Sequence, residues 1–533
     1  MYKQRLFILF ILALSHVAYS QSADDLKAIY EDLSVFEDAL ATQLKKRTKK
    51  SKIRKIGHPV IRDVADQILR GEYETTYRVN TFQSYLSPRT LGMKLSIGDG
   101  YSKYENITGI FLPKGEHIVL VDGIEKDKEV TLLIPNWDRR PPDEEDPSKD
   151  EKGWGIEREV FPLRNGVNMI RLEDFGGLAY IGYDSDDPEN APPVSVHFLN
   201  GEVNGYFDIQ MHTDEDWDRL TANQVYPMLD AIGEHIQVIY PKEAIQQYAA
   251  GRGVELISNY DSLVYRQHRL MGLVKYDKVP ENRILARVNY NYYMFRDGDG
   301  VAYMGGKKGN AMGRVVDPDQ VIRDDPCWGF SHEVGHVHQL RPYLNWGGLG
   351  EVSNNIFSMY VTTSFGNPSR LQEQNNYEKV RNSIYGKNKC YLQDDDVFNR
   401  LVPFWQLHLY FSRIEKRDDF YADLFEAFRQ QNEEERMNRR GWTMGGRGGQ
   451  NPAEYQLNFV KKVSEVGGVD LTEFFENYGF FYVGEFEYED YGRYHYQMSQ
   501  EMADQAKAEI KAMNLPKPKV DPSRLEDDRE NEQ

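Results

Sequence analysis

Within Ser331-His332-Glu333-Val334-Gly335-His336, two histidines stand four residues apart, with a carboxylate directly after the first. On an α-helix, positions i and i+4 lie about 40° apart around the axis, so His332 and His336 can face one metal ion. Glu333 then sits about 100° from the first histidine and about 60° from the second, beside the metal without ligating it. A base that takes a proton from zinc-activated water belongs at that position. A short pattern of this kind also arises by chance in helices whose histidines only make hydrogen bonds, so the neighbouring residues decide.

Pro342, Asn345, Gly347 and Gly348 end the helix soon after the motif. Gln339 and Pro342 stand where a metzincin would need Gly and His, which excludes that geometry. Gly350-Glu351-Val352-Ser353-Asn354-Asn355-Ile356 then opens a second helix, and the intervening turn allows it to return antiparallel. On it Glu351, Asn354, Asn355, Ser358 and Thr362 share a polar stripe, with Val352, Ile356 and Met359 on the apolar side. His332, His336 and Glu351 with one water make the open three-ligand set of a catalytic zinc.

Asn355, four residues past Glu351, is placed either to accept the ring N–H of one histidine ligand or to face solvent. His338 lies about 200° round the helix from His336 and faces away, so it is not a ligand. Gly335 costs the helix about 1 kcal/mol relative to Ala, which is tolerable if something packs closely there. Trp346 is a candidate for stacking on a sugar face, or a core residue. For the donor to the oxyanion, His408 and Tyr410 are candidates by residue type alone.

Several elements must position these groups. Residues 22–75 read as helical, with Leu26, Ile29, Tyr30, Leu33, Phe36 and Leu40 at three- and four-residue steps. The basic run Lys45–Lys50 reads as a solvated helix end. From about residue 85 the chain turns to short β-rich runs: Ile110–Leu112, Ile118–Val121 and Val130–Ile134. Val194, Val196 and Phe198, then Phe207, Ile209 and Met211, alternate about Asn200-Gly201 as a hairpin. Such strands suggest a β-sandwich. Acidic, Pro-containing breaks at 141–147 and 184–188 read as exposed loops without the spacing of a calcium site.

After Trp217 the pattern becomes α/β, with Ile236–Tyr240 a strand, Pro241–Ala250 a helix and Ile284–Phe295 further strand. Glycine-rich stretches at 305–310 and 445–449 lack P-loop context and read as surface loops. Phe398–Ile414 and Leu471–Tyr478 read as helices, and the tail beyond Pro516 as disordered.

Composition narrows the function. The formal charge of −19 over 533 residues argues against nucleic acid and anionic membrane surfaces. Basic residues, the apolar run Leu6–Leu14 and Ala18-Tyr19-Ser20 read as a secretory signal cleaved after Ser20. That run is shorter than the ~20 residues of a spanning helix, so no membrane insertion is expected. The two cysteines, Cys327 and Cys390, leave one disulfide or two buried thiols open.

His332-Glu333-x-Gly335-His336, with Gln339, Trp346 and Gly350-Glu351-Val352-x-Asn354-Asn355-Ile356, resembles the enhancin-like family of gluzincin metallopeptidases, metallopeptidase family sixty. Many of its members act on mucins and other O-glycosylated proteins. Thr108–Gly115 and Gly176–Ile181 are also similar to the β-sandwich that precedes the catalytic part in that family, and the similarity spans residues 85–510. The resemblance implies a peptidase that recognises glycan beside the scissile bond.

The expectation is therefore an α+β chain. It comprises a signal (1–20), an N-terminal helical region (21–85), a β-sandwich (86–212), a mixed α/β zincin-like catalytic domain with a helical C-terminal part (213–515) and a disordered acidic tail (516–533). Its expected activity is that of an exported Zn2+ endopeptidase acting on glycoprotein or mucin substrates. A glycan-binding protein with a vestigial metal site, or a zinc peptidase indifferent to glycans, are the alternatives.

Overall fold

The computed structural model describes residues 23–143, 146, 149–153, 155–306, 310–438 and 451–527. The expected signal, the Gly445–Gly449 stretch, Lys307-Lys308-Gly309, part of the 141–147 break and the tail from residue 528 lie outside the described residues.

Alternating apolar residues between 79 and 203 build two sheets. Strands β1 (Val79–Phe82), β2 (Asn106–Leu112), β3 (Gly115–Asp122), β4 (Val130–Pro135), β5 (Arg158–Pro162), β6 (Gly166–Leu172), β7 (Gly177–Tyr183), β8 (Val194–Phe198) and β9 (Glu202–Val203) sort into the orders β1-β8-β3-β6 and β5-β4-β7-β2-β9. The sheets pack face to face through Ile110, Leu112, Val119, Val121, Leu132, Ile134, Val194 and Val196.

Strand β3 shows why one run of four apolar residues is needed. Val119 and Val121 point into the sandwich, whereas Ile118 and Leu120 point out, under Ile29, Phe36, Ile61 and Val64 of the N-terminal segment. That segment holds three short helices, Ala23–Leu33, Lys50–Ile53 and Pro59–Arg70, joined by turns rather than a continuous helical region. Strand β1 falls inside the stretch expected to be helical, because Asn80 and Phe82 pair with Val196 and Val194.

The expected hairpin about Asn200-Gly201 does not form. β8 pairs with β1 and β3, β9 pairs with β2, and Phe207-Asp208 (β10) leaves for the next sheet. That sheet adds β11 (Met228–Ile232), β12 (Ile236–Pro241), β13 (Ile284–Asn289), β14 (Met294–Asp297) and β15 (Gly300–Met304), in the order β10-β11-β12-β13-β15-β14. The run Ile284–Phe295 is thus two strands, and β14 is the sheet's edge, paired antiparallel to β15. The sandwich meets this sheet through Tyr104, Trp137 and Tyr180, the last donating to Asp230 Oδ2 of β11 at 2.6 Å.

Helix Gly253–Leu270 lies against β12 and behind helix Asp324–His338, which crosses helix Ser353–Ser364 closely. Helices Val397–Leu409, Phe420–Asn438 and Pro452–Gly467 continue the same core. A hairpin, β16 (Gly484–Glu489) and β17 (Arg493–Met498), and helix Gln500–Ala512 follow. The segment after Pro516 is not an unstructured tail as far as residue 527. Asp527 accepts from Tyr377 (2.7 Å) and Trp405 Nε1 (2.9 Å), and Gln406 donates to the carbonyls of Ser523 and Leu525. Its charges are matched by partners on distant helices, which composition alone does not reveal. No described helix is long and apolar enough to cross a membrane. Both cysteines are buried free thiols.

Candidate metal centre

Helix Asp324–His338 carries the motif, and Gly335 explains how close its neighbour comes. A Cβ there would meet the backbone carbonyl oxygen of Asn354 at 2.6 Å, so only glycine allows this crossing of the two helices. The crossing brings Glu351 over the histidine pair. Glu351 Oε2 lies 3.2 Å from His332 Nε2 and 3.4 Å from His336 Nε2.

The hydrogen bonds on the far side of each ring decide what those nitrogens carry. His332 Nδ1 lies 2.8 Å from Asn355 Oδ1, and His336 Nδ1 lies 3.1 Å from Gln339 Oε1. Amide oxygens only accept, so each Nδ1 holds the proton and each Nε2 presents a lone pair. Two lone pairs and a carboxylate oxygen therefore converge, an arrangement that calls for a cation. Tetrahedral zinc with bonds of about 2.0–2.1 Å has ligand-to-ligand edges of about 3.3 Å, which the spacing fits. The Nδ2 of Asn354 lies 3.0 Å from His336 Nε2 and 3.5 Å from Glu351 Oε2, a positive dipole turned to the same electron-rich atoms. Among the described residues, these three side chains form the one cluster of His, Cys, Asp and Glu groups able to hold a metal ion.

Charge coupling is strong. Burial raises the pKa of Glu351, but its bonds to His332 and His336 outweigh that and hold the carboxyl far below its usual range. Burial opposes charge on His332, and Glu351 more than offsets it, so its pKa is raised. Glu333 is 6% exposed, and burial raises its pKa against the opposing pull of the two histidines.

These residues open into a cleft of about 430 Å³, walled by Met294, Phe295, Arg296, Arg341 and Tyr491. Edge strand β14 thus runs along the cleft. Met294 also lines a second cavity of about 220 Å³, with Tyr293, Arg314, Trp328 and Arg370; the Arg370 guanidinium lies 4.2 Å from the centre of the Trp328 ring.

Of the remaining sequence candidates, Asn355 sits beside His332 as geometry suggested, and it also donates to the Glu351 carbonyl at 2.8 Å. His338 faces away. Its Nδ1 donates to Gln267 Oε1 (2.8 Å), its Nε2 accepts from the Tyr101 hydroxyl (2.9 Å), and burial pushes its pKa down to about 3. Trp346 is not a sugar platform: it is 2% exposed, packs on Phe404 and Phe459, and donates to the Tyr391 hydroxyl. Its position beside polar turn residues concealed a core role. His408 stacks on Trp405 and Tyr410 donates to Glu415, and neither lines the cleft.

The sequence reading gave two residues of the site no role. Gln339, besides holding His336, donates from Nε2 to the Gly350 carbonyl (2.9 Å) and Ser353 Oγ (2.8 Å), tying the helix end to the loop before Glu351. Its position three residues past His336 was the available signal. Tyr491 reaches Glu351 Oε1 with its hydroxyl from the β16–β17 turn, for which the sequence carries no local sign.

Residues 202–479 match the family model described as peptidase M60, enhancin and enhancin-like, and residues 86–197 match the N-terminal domain of M60-like peptidases. No curated protein matches the chain. Among solved structures it is similar to a metallopeptidase from Bacteroides thetaiotaomicron, at 25% identity over 97% of this chain and 83% of that one, with a TM-score of 0.78. A metallopeptidase in complex with Tn antigen is 26% identical over 86% of this chain and 81% of that one, with a TM-score of 0.71. The catalytic module of metalloprotease ZmpA from Clostridium perfringens shares the fold at 18% identity over 84% of this chain and 80% of that one, with a TM-score of 0.59.

Proposed function

Because the chain belongs to the enhancin and enhancin-like peptidases of family M60, and so is a zinc metallopeptidase, we propose that it is an exported endopeptidase cutting mucin-type glycoproteins. His332, His336 and Glu351 hold the zinc, and Glu333 is the general base. The observation that carries this reading is the convergence of the two Nε2 atoms on Glu351 Oε2 at 3.2–3.4 Å.

A zinc ion held by these three side chains would supply Lewis acidity to the scissile carbonyl and would acidify a nearby water. Glu333, buried beside the ligands, takes the proton from that water and passes it to the leaving amine. Asn355 and Gln339 keep both rings turned with Nε2 inward. Strand β14, at the edge of its sheet, runs along the cleft where an extended peptide can lie. The neighbouring cavity, which joins the exposed ring of Tyr293 to the donors of Arg314 and Arg370, is suited to a sugar carried by that peptide. The solved relative in complex with Tn antigen supports a glycosylated substrate. Export rests on the basic-apolar-small order of residues 1–20.

The test sets a mucin-type glycopeptide against its deglycosylated form, with and without chelator. Cleavage of the glycosylated form alone, lost with chelator and restored by zinc, is expected. Glu333→Gln retains zinc and loses about 100- to 10,000-fold in kcat. Equal cleavage of both peptides removes the glycan requirement, and full activity of Glu333→Gln removes the mechanism.

A further inference from the structure

The β16–β17 hairpin begins at Gly484, past the end of the family-model match at residue 479. Its turn nevertheless reaches the loop that delivers Glu351. Asp490 Oδ2 accepts from the backbone N–H groups of both Gly348 and Gly350, each at 2.9 Å, and the Tyr488 hydroxyl donates to the Gly347 carbonyl at 2.7 Å. Those glycines are shaped for the hairpin. A Cβ on Gly347 would meet the Tyr494 ring at 2.4 Å, and one on Gly348, whose φ is +92°, would meet Leu392 at 2.5 Å and the Tyr488 ring at 3.1 Å. Tyr491 itself lies in the left-handed region at φ 52°, at the exposed tip of the turn. The hairpin is anchored independently, Tyr496 donating to the Tyr482 carbonyl (2.8 Å) and the Gln497 N–H to Asn451 Oδ1 (3.0 Å).

We propose that this hairpin turn is a positioning device for the metal-binding glutamate, with Asp490 fixing the backbone of the Gly347–Glu351 loop and Tyr491 fixing the carboxylate. The proposal rests on Glu351 being a metal ligand. The loop is rich in glycine and would otherwise sample many conformations. A charged acceptor bonded to two backbone amides removes that freedom, and the Tyr491 hydroxyl on Oε1 leaves Oε2 turned to the histidines. Gln339 holds the same loop through the Leu349 and Gly350 carbonyls, so the backbone before the glutamate is fixed by two elements far apart in the chain.

The full-length variants Asp490→Ala, Asp490→Asn and Tyr491→Phe, with the exposed Glu487→Ala as control, are compared for zinc affinity by chelator competition, kcat and KM at saturating zinc, and thermal unfolding of the metal-free protein. Asp490→Ala weakens zinc binding about 10- to 100-fold and lowers kcat more than it changes KM, with metal-free unfolding close to that of the parent. Asp490→Asn, which keeps an acceptor oxygen but no charge, falls between the two and serves should the alanine variant fail to fold. Zinc affinity and kcat within twofold of the parent in both Asp490 variants overturn the proposal. Glu351→Gln reads the underlying assignment separately: unchanged zinc affinity there overturns the ligand reading, whereas the expected loss there with silent Asp490 variants overturns the positioning role alone.

Discussion

Each histidine of the metal centre gives its Nδ1 proton to a neutral amide, Asn355 for His332 and Gln339 for His336. An amide orients the ring without adding charge to a site that already holds Glu333 and Glu351. Asn355 also bonds the Glu351 carbonyl, so one side chain sets two ligands. Asn355→Ala is expected to weaken zinc binding about 10- to 100-fold, measured by competition with a chromogenic chelator, while Asn355→Asp retains most of it. At this scale much was legible. His332 and His336 are related by helical spacing, which the chain displays directly, whereas Glu351, expected on the second helix, lies in the loop just before helix Ser353–Ser364, which carries Asn355. Gln339 acts through a loop that returns to it, and Tyr491 arrives 140 residues after the glutamate it touches. For Trp346 residue type left sugar stacking and a core role both open, and only packing, at 2% exposure, decides for the core.

At the scale of elements, the site is a crossing of two helices whose closeness is set by Gly335 against the Asn354 backbone. Gly335→Ala gains helix propensity yet must push the helices apart. The expected result is a loss of about 1–3 kcal/mol in unfolding free energy, with weaker zinc binding, read by denaturant titration and chelator competition. The sequence shows a glycine that needs a close neighbour, not which neighbour. Strand β8 was readable because burial on one pleated face leaves a period of two, and β3 because burial on both faces leaves a continuous apolar run. Their partners were not: Asn200-Gly201 carries a turn signal, yet the chain after it changes sheet, since β10 pairs with β11. The C-terminal segment looked unstructured by composition and is docked as far as Asp527, because its few polar contacts are long-range.

At the scale of the whole molecule, the sandwich and the catalytic sheet meet at Asp230, which accepts from Tyr180 and from Gln237 at 3.0 Å. Burial pushes its pKa up to about 7, partly offset by those two bonds. An unfolded chain releases that proton near pH 4, so the folded state alone keeps it between about pH 4 and 7. The stability from this group is complete below about pH 4 and is lost as pH rises through 7. Glu105, raised to about 7 by burial beside Arg283, has the same sign. The parent's Tm is expected to fall between about pH 4 and 7, and Asp230→Asn to show a flatter profile in calorimetry. The covering of β3 by the N-terminal helices has a consequence for how such a protein can be recombined. The four-stranded sheet lends its outer face to those helices through Ile118 and Leu120, and the five-stranded sheet lends Leu178 and Tyr180 to the catalytic core. The sandwich is therefore not a cassette that can be excised or grafted whole: a chimera that kept it without residues 23–70 would carry an oily face into solution and aggregate through it.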